Sequence, residues 1–83
     1  MFTTYVLHSE KHDKIYIGYT SNIEQRLLSH NELATKGWTI KFRPWKLIYQ
    51  EEVETKSAAM KREKELKSFQ GRQFIRNLIL QRK

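Results

Sequence analysis

Lys14-Ile15-Tyr16-Ile17-Gly18-Tyr19-Thr20-Ser21-Asn22-Ile23-Glu24-Gln25-Arg26-Leu27 passes from strand chemistry to helix chemistry within a few residues. Its aromatic and β-branched first half favours a strand over 14–19. Ser21-Asn22-Ile23-Glu24 then reads as a capping box, with Ser21 accepting from the backbone amide three residues on and Glu24 reaching back. The helix that follows is expected to reach about Asn31, with Ile23 and Leu27 on its inward side. Tyr16 and Gly18 are two apart and so share one strand face. A glycine within a strand usually marks close approach by a ligand or another backbone, and here it would open a space beside the Tyr16 hydroxyl. Arg26 and His30 are four apart, so they meet on one helix face at the border between core and solvent.

Outward from this stretch, residues 2–8 form a second aromatic and β-branched run, joined to the first by the polar turn 9–13. The two read as a hairpin, with Tyr5 on the strand paired to that of Tyr16. Residues 32–45 have no clear period. Pro44 biases Arg43 to extended geometry, so this loop leads into a strand over 45–53, where Leu47 and Tyr49 alternate against Ile48. Thr55 suits the N-cap of a helix to about Phe69. Gly71 is expected to interrupt it, and Phe74, Ile75, Leu78 and Ile79 supply the stripe of a last helix. The order ββαβαα predicts an α+β fold, a small three-stranded antiparallel sheet flanked by three helices, with 1–83 as a single domain.

Charge narrows the function classes. The net charge is +7, yet residues 1–54 hold 7 Lys/Arg and 7 Asp/Glu, while residues 55–83 hold 9 and 2. The whole excess lies in the last third, and a one-sided basic field of this kind suits a polyanion. Lys61, Lys64, Arg72 and Arg76 are the candidate phosphate contacts there, with Lys41 and Arg43 in the preceding loop. With no cysteine there is no disulfide framework, thiolate nucleophile or zinc–thiolate site, which fits a reducing cytoplasm. No apolar run approaches the roughly 20 residues that span a bilayer.

Glu63 is hard to explain by structure alone. At about 100° per residue, Ala59, Met60 and Leu66 define the inward stripe of their helix, and Glu63 falls between them. A carboxylate on a buried stripe costs several kcal/mol unless it is paired or holds a cation. Two readings stand: an internal ion pair with Arg26 or a lysine, or a ligand for a divalent ion. Mg²⁺ suits the second, since it tolerates one carboxylate when water and phosphate complete its shell.

Tyr16-Ile17-Gly18, the tyrosine of Thr3-Thr4-Tyr5, Arg26, His30 one turn later, and Glu63 in Lys61-Arg62-Glu63-Lys64-Glu65 follow one another as in a known pattern. The chain resembles the GIY-YIG nuclease superfamily, and within it the small stand-alone single-domain members. The first motif is degenerate, with Thr3 and Thr4 in place of Gly and Ile. The resemblance implies a divalent-metal-dependent (Mg²⁺ or Mn²⁺) endonuclease that hydrolyses DNA phosphodiesters, branched or single-stranded DNA included, in DNA repair or processing. It implies catalytic roles for Tyr5, Tyr16, Arg26, His30 and Glu63, with Glu63 as the metal ligand. A phenol, either Tyr5 or Tyr16, would handle the attacking water, its pKa lowered by Arg26 and the metal. Asn77 is the one candidate for a further asparagine of the pattern. The alternatives are a non-catalytic nucleic-acid-binding module of the same fold, and a domain that takes its specificity from a protein partner. Trp38 and Trp45, flanked by Lys36, Lys41, Arg43 and Lys46, either stack on bases or cap the core.

Overall fold

The computed structural model describes residues 1–33 and 37–82. Lys36, one of the cations flanking the loop tryptophans, lies outside the described residues. Three strands, β1 (Phe2–Ser9), β2 (Lys14–Thr20) and β3 (Lys46–Val53), form one antiparallel sheet in the order β2-β1-β3. Helix α1 (Ile23–Leu28) follows the hairpin, and α2 (Lys56–Lys67) and α3 (Phe69–Gln81) follow β3. The expected ββαβαα order and α+β architecture are therefore present.

Central strand β1 is covered on both faces, and Thr4 through Ser9 are all buried. On one face Val6 and Ile17 pack against Leu66 of α2 and Ile75 and Ile79 of α3. On the other, Tyr5, Leu7 and Trp45 form a second cluster that gathers Tyr16 and the α1 residues Ile23 and Leu27. Thr4 donates its hydroxyl to the Ala59 carbonyl at 3.2 Å, and the fully buried Ala59 methyl lets α2 lie close to the sheet. Helices thus sit on both faces, and β2 is left as an open edge between them.

Several local expectations are corrected. The N-cap of α1 is Asn22, whose side chain accepts from the Gln25 amide at 3.1 Å, and not Ser21. Both residues are good caps; Thr20 decides, because its hydroxyl accepts from the Asn22 amide and fixes the turn one residue later. Regular α1 ends at Leu28, and a π-helical turn, Ser29–Leu33, carries the chain on. Trp45 precedes β3 instead of opening it. The alternation in β3 breaks at a bulge: Val6 pairs with Tyr49 but Leu7 with Leu47, so Ile48 is the extra residue. Ile48 and Tyr49 consequently both reach the α2/α3 core, while Leu47 reaches the other.

Thr55 caps α2 as expected, accepting from the Ala58 amide. Ser68, not Gly71, separates the last two helices, closing α2 and capping α3 through the Gly71 amide. Gly71 lies inside α3, where a Cβ would strike the Glu65 and Leu66 carbonyls; its value is close approach, not interruption. Of the expected α3 stripe, Ile75 and Ile79 are buried, while Phe74 is exposed and meets Tyr49 edge-on.

Candidate active site

An open cleft of about 500 Å³ runs along the free edge of β2. Strand β2 contributes Tyr16, Gly18 and Tyr19, β1 contributes Tyr5, α1 contributes Arg26, and α2 contributes Lys56 and Glu63. Residues 58 positions apart in the chain meet here because β1 and β2 are paired strands with α1 and α2 on either side.

Gly18 is the cross-strand partner of Tyr5. A Cβ at Gly18 would stand 2.8 Å from the Tyr5 phenol oxygen and 3.0 Å from Tyr16 Cε1. The space that Gly18 opens is therefore filled by the Tyr5 ring, and not left free beside the Tyr16 hydroxyl as the spacing alone suggested. Tyr5 stacks on Tyr16 with ring centres 6.2 Å apart, and its hydroxyl lies 3.1 Å from His30 Nε2. Tyr16 and His30 close the triangle at 4.6 Å.

Burial dominates the electrostatics of this triangle. It pushes the Tyr5 phenol well above its ordinary range, aided by Tyr16, and Arg26 offsets only part of the rise. Arg26 lowers the Tyr5 phenol as expected, but burial outweighs it, and Tyr5 stays protonated at neutral pH. His30 is held below the ordinary imidazole value, first by burial and then by the Arg26 and Arg43 charges, so it is neutral. The π-helical turn carries His30 inward, whereas Arg26 stays exposed at the cleft. Among the described residues the Arg26 guanidinium makes no hydrogen bond or ion pair and is open to an anionic ligand.

Glu63 is half-buried, with its side chain 22% exposed, and its ion pair is with Lys67 at 3.4 Å on the same helix. The expected burial is moderated, and of the two expected partners, Arg26 or a lysine, it is a lysine that pairs with Glu63 among the described residues. Met60 is exposed, which corrects its place on the inward stripe. Among the described residues no three His, Asp or Glu side chains converge as a metal-ligand set. One accessible carboxylate fits a hard cation that completes its shell with water and substrate phosphate, and does not fit a zinc-type cage.

The remaining predicted residues are not among those that line the cleft. Lys61 and Lys64 flank Glu63 on exposed positions of α2. Arg72 donates to the Lys67 carbonyl, and Arg76 pairs with Asp13 of the hairpin turn at 2.8 Å. Arg43 donates to the His30 and Ser29 carbonyls, which ties the loop to the π-helical turn, while Lys41 is exposed on a short 3-10 turn, Trp38–Phe42. Asn77 is exposed on α3 and is not among the cleft residues. Lys56 and Tyr19 line the cleft without having been singled out as site residues. Lys56 was legible, being seven residues, two helical turns, before Glu63; Tyr19 was not, because a cleft that wraps an edge strand draws on both of its faces.

Residues 1–75 match the GIY-YIG catalytic domain, and the chain belongs to the GIY-YIG family, a family of nucleases. Among its relatives, a UPF0213 protein of Staphylococcus haemolyticus is 41% identical over 66 residues, covering 80% of each chain. A UPF0213 protein of Staphylococcus saprophyticus is 44% identical over 59 residues, covering 71% of this chain and 72% of the relative. A third, from Staphylococcus aureus, is 40% identical over 62 residues.

Proposed function

We propose that this protein is a divalent-metal-dependent endonuclease that hydrolyses DNA phosphodiester bonds, acting on branched or single-stranded structures during DNA repair or processing in the cytoplasm. The observation that carries the reading is the convergence of Tyr16, Arg26 and Glu63 on one open cleft. Each supplies a different requirement of phosphate-ester hydrolysis.

Arg26 offers two parallel N–H donors to a phosphate and can stabilise the charge that builds up as the pentacovalent state forms. Tyr16, half-exposed in the cleft, presents its phenol oxygen to the attacking water. Tyr5 is buried and protonated, so its part is to position: it stacks on Tyr16 and is held by His30. Glu63 would hold Mg²⁺ or Mn²⁺, and a bound divalent ion supplies Lewis-acid activation and leaving-group stabilisation. Lys56, Lys61 and Lys64 surround Glu63 with positive charge that attracts the DNA backbone.

The test is to incubate the purified protein with end-labelled single-stranded, duplex, flapped and branched DNA in Mg²⁺, Mn²⁺ or EDTA. Cleavage of at least one substrate with metal, abolished by EDTA, is expected. Tight binding without cleavage of any substrate would assign the fold to a non-catalytic nucleic-acid-binding module.

A further inference from the structure

We propose that Trp38, backed by Phe42, forms a stacking platform for an unpaired nucleobase of the strand engaged in the cleft. The substrate class rests on the nucleic-acid reading above; the platform rests on the geometry of the short turn Trp38–Phe42.

The two tryptophans have separate fates. Trp45 is 3% exposed and donates its indole N–H to the Thr39 carbonyl at 2.8 Å, so it closes the second core cluster. Trp38 is 47% exposed, although it touches the same cluster, 4.8 Å from Phe42 and 5.7 Å from Trp45. With Trp45 already capping the core, the outer part of the Trp38 indole is left exposed among the described residues, and its inner side is backed by the Phe42 and Trp45 rings. His12 meets Phe42 edge-on at 5.4 Å and extends the aromatic surface.

The charge around this surface selects its occupant. Lys14 Nζ sits 5.6 Å from the Phe42 ring centre, and Lys41 is exposed in the same turn. An exposed indole with cations nearby, one of them over the Phe42 ring, matches a base and its flanking phosphates, the combination by which single-stranded nucleic acid is bound. The platform also lies within a short distance of the cleft residue Tyr16. Trp45 lies 6.4 Å from Tyr16, and with the 5.7 Å step to Trp38 the Tyr16–Trp38 separation is at most about 12 Å. That is a few nucleotides of a strand whose stacked rise is about 3.4 Å. A duplex offers no free base at that distance, whereas a flap, fork or single strand does.

The decisive probes are a thymidine oligonucleotide and an oligonucleotide of equal length with abasic residues throughout, which keeps the phosphates and removes the stacking partner. Tryptophan emission of the wild-type protein should be quenched by the first and not by the second. Trp38→Ala should weaken thymidine-oligonucleotide binding about 5- to 150-fold, leave abasic binding unchanged, and be largely rescued by Trp38→Phe. Both measurements are made at equilibrium in EDTA, so they stand whether or not the cleft hydrolyses DNA. Equal loss on both oligonucleotides, no loss on either, or a changed oligomeric state of Trp38→Ala with unchanged oligonucleotide affinity would overturn the proposal. The last result would give the surface to a second copy of the chain. If Trp38→Ala fails to fold, the wild-type quenching comparison decides alone, and equal quenching by both oligonucleotides overturns the platform.

Discussion

Tyr5 and Gly18 face each other across the β1–β2 ladder so closely that a methyl group at Gly18 would stand 2.8 Å from the phenol oxygen. The Tyr5 ring is 1% exposed and cannot swing away into solvent. Gly18→Ala should therefore push the phenol from His30 and disturb the stack on Tyr16. A destabilisation of about 1–3 kcal/mol, typical of an overpacked core, is expected together with loss of cleavage. Adding Tyr5→Phe removes the atom in closest conflict and should restore part of the melting temperature. An alanine variant that melts and cuts like wild type would mean that the close approach is not required.

His30 gives the site a pH signature. Its folded-state pKa is depressed, so the unfolded chain takes up the proton first. The stability it contributes is present above the unfolded value of about 6.5 and is lost as pH falls through the folded one. Melting temperature should drop between pH 7.5 and 5, and His30→Gln, which keeps a hydrogen-bonding group for Tyr5, should flatten the drop. The lowered carboxyls of Asp13 and Glu51 act mainly below this window. An unchanged pH profile in His30→Gln would place the acid sensitivity elsewhere.

What the sequence could and could not disclose follows from the range of each interaction. Thr55 was readable because a cap needs only its own residue and the amide three positions on. Tyr16, Gly18, Arg26 and Glu63 were readable through spacing, since strand and helix periods fix which side chains share a face. The bulge at Ile48 was not, because it exists only relative to β1. Met60 was misplaced because it stands about 100° from Ala59, at the margin of the stripe, whereas Glu63 is only about 40° away. Arg76 looked like a free phosphate contact, but its partner Asp13 is 63 residues away and only the fold joins them.

Glu63→Gln separates the metal role from a structural one. The pair with Lys67 is a partly exposed i,i+4 contact at 3.4 Å, of a kind worth about 0.3–0.5 kcal/mol on a helix, so stability should change little. Metal-supported cleavage should disappear, and Mn²⁺ titration followed by electron paramagnetic resonance should lose its site. A variant that still binds Mn²⁺ and cuts at the wild-type rate would remove Glu63 from the chemistry.

The basic surface should prove unequal. Lys61 and Lys64 flank Glu63 near the cleft, whereas the Arg76 charge is balanced by Asp13 at the hairpin turn. Reversing both lysines should reduce the slope of log affinity against log salt by about 2, one phosphate contact each. Arg76→Glu should leave that slope nearly unchanged. An equal effect from Arg76 would move the binding face to α3.

Arg26 tests whether the cleft is an enzyme's. It is one of 16 Lys/Arg residues, so its share of the overall attraction for DNA is small, and Arg26→Ala should leave the dissociation constant within a few-fold of wild type. Its guanidinium is unpaired among the described residues and faces the same cleft as Tyr16 and Glu63, where its value would lie in the transition state. Removing one well-placed donor of that kind costs about 10²–10³-fold in rate. Tyr16→Phe should be comparably slow, since it keeps the ring that packs on Tyr5 and His30 and deletes only the hydroxyl. Tyr5→Phe should retain more activity, because its hydroxyl acts by holding a ring in place. The measurement is single-turnover cleavage beside equilibrium binding for all three variants. Wild-type rates from both Arg26→Ala and Tyr16→Phe would show that the convergence on the cleft has no catalytic use, leaving nucleic-acid binding as the activity of the fold.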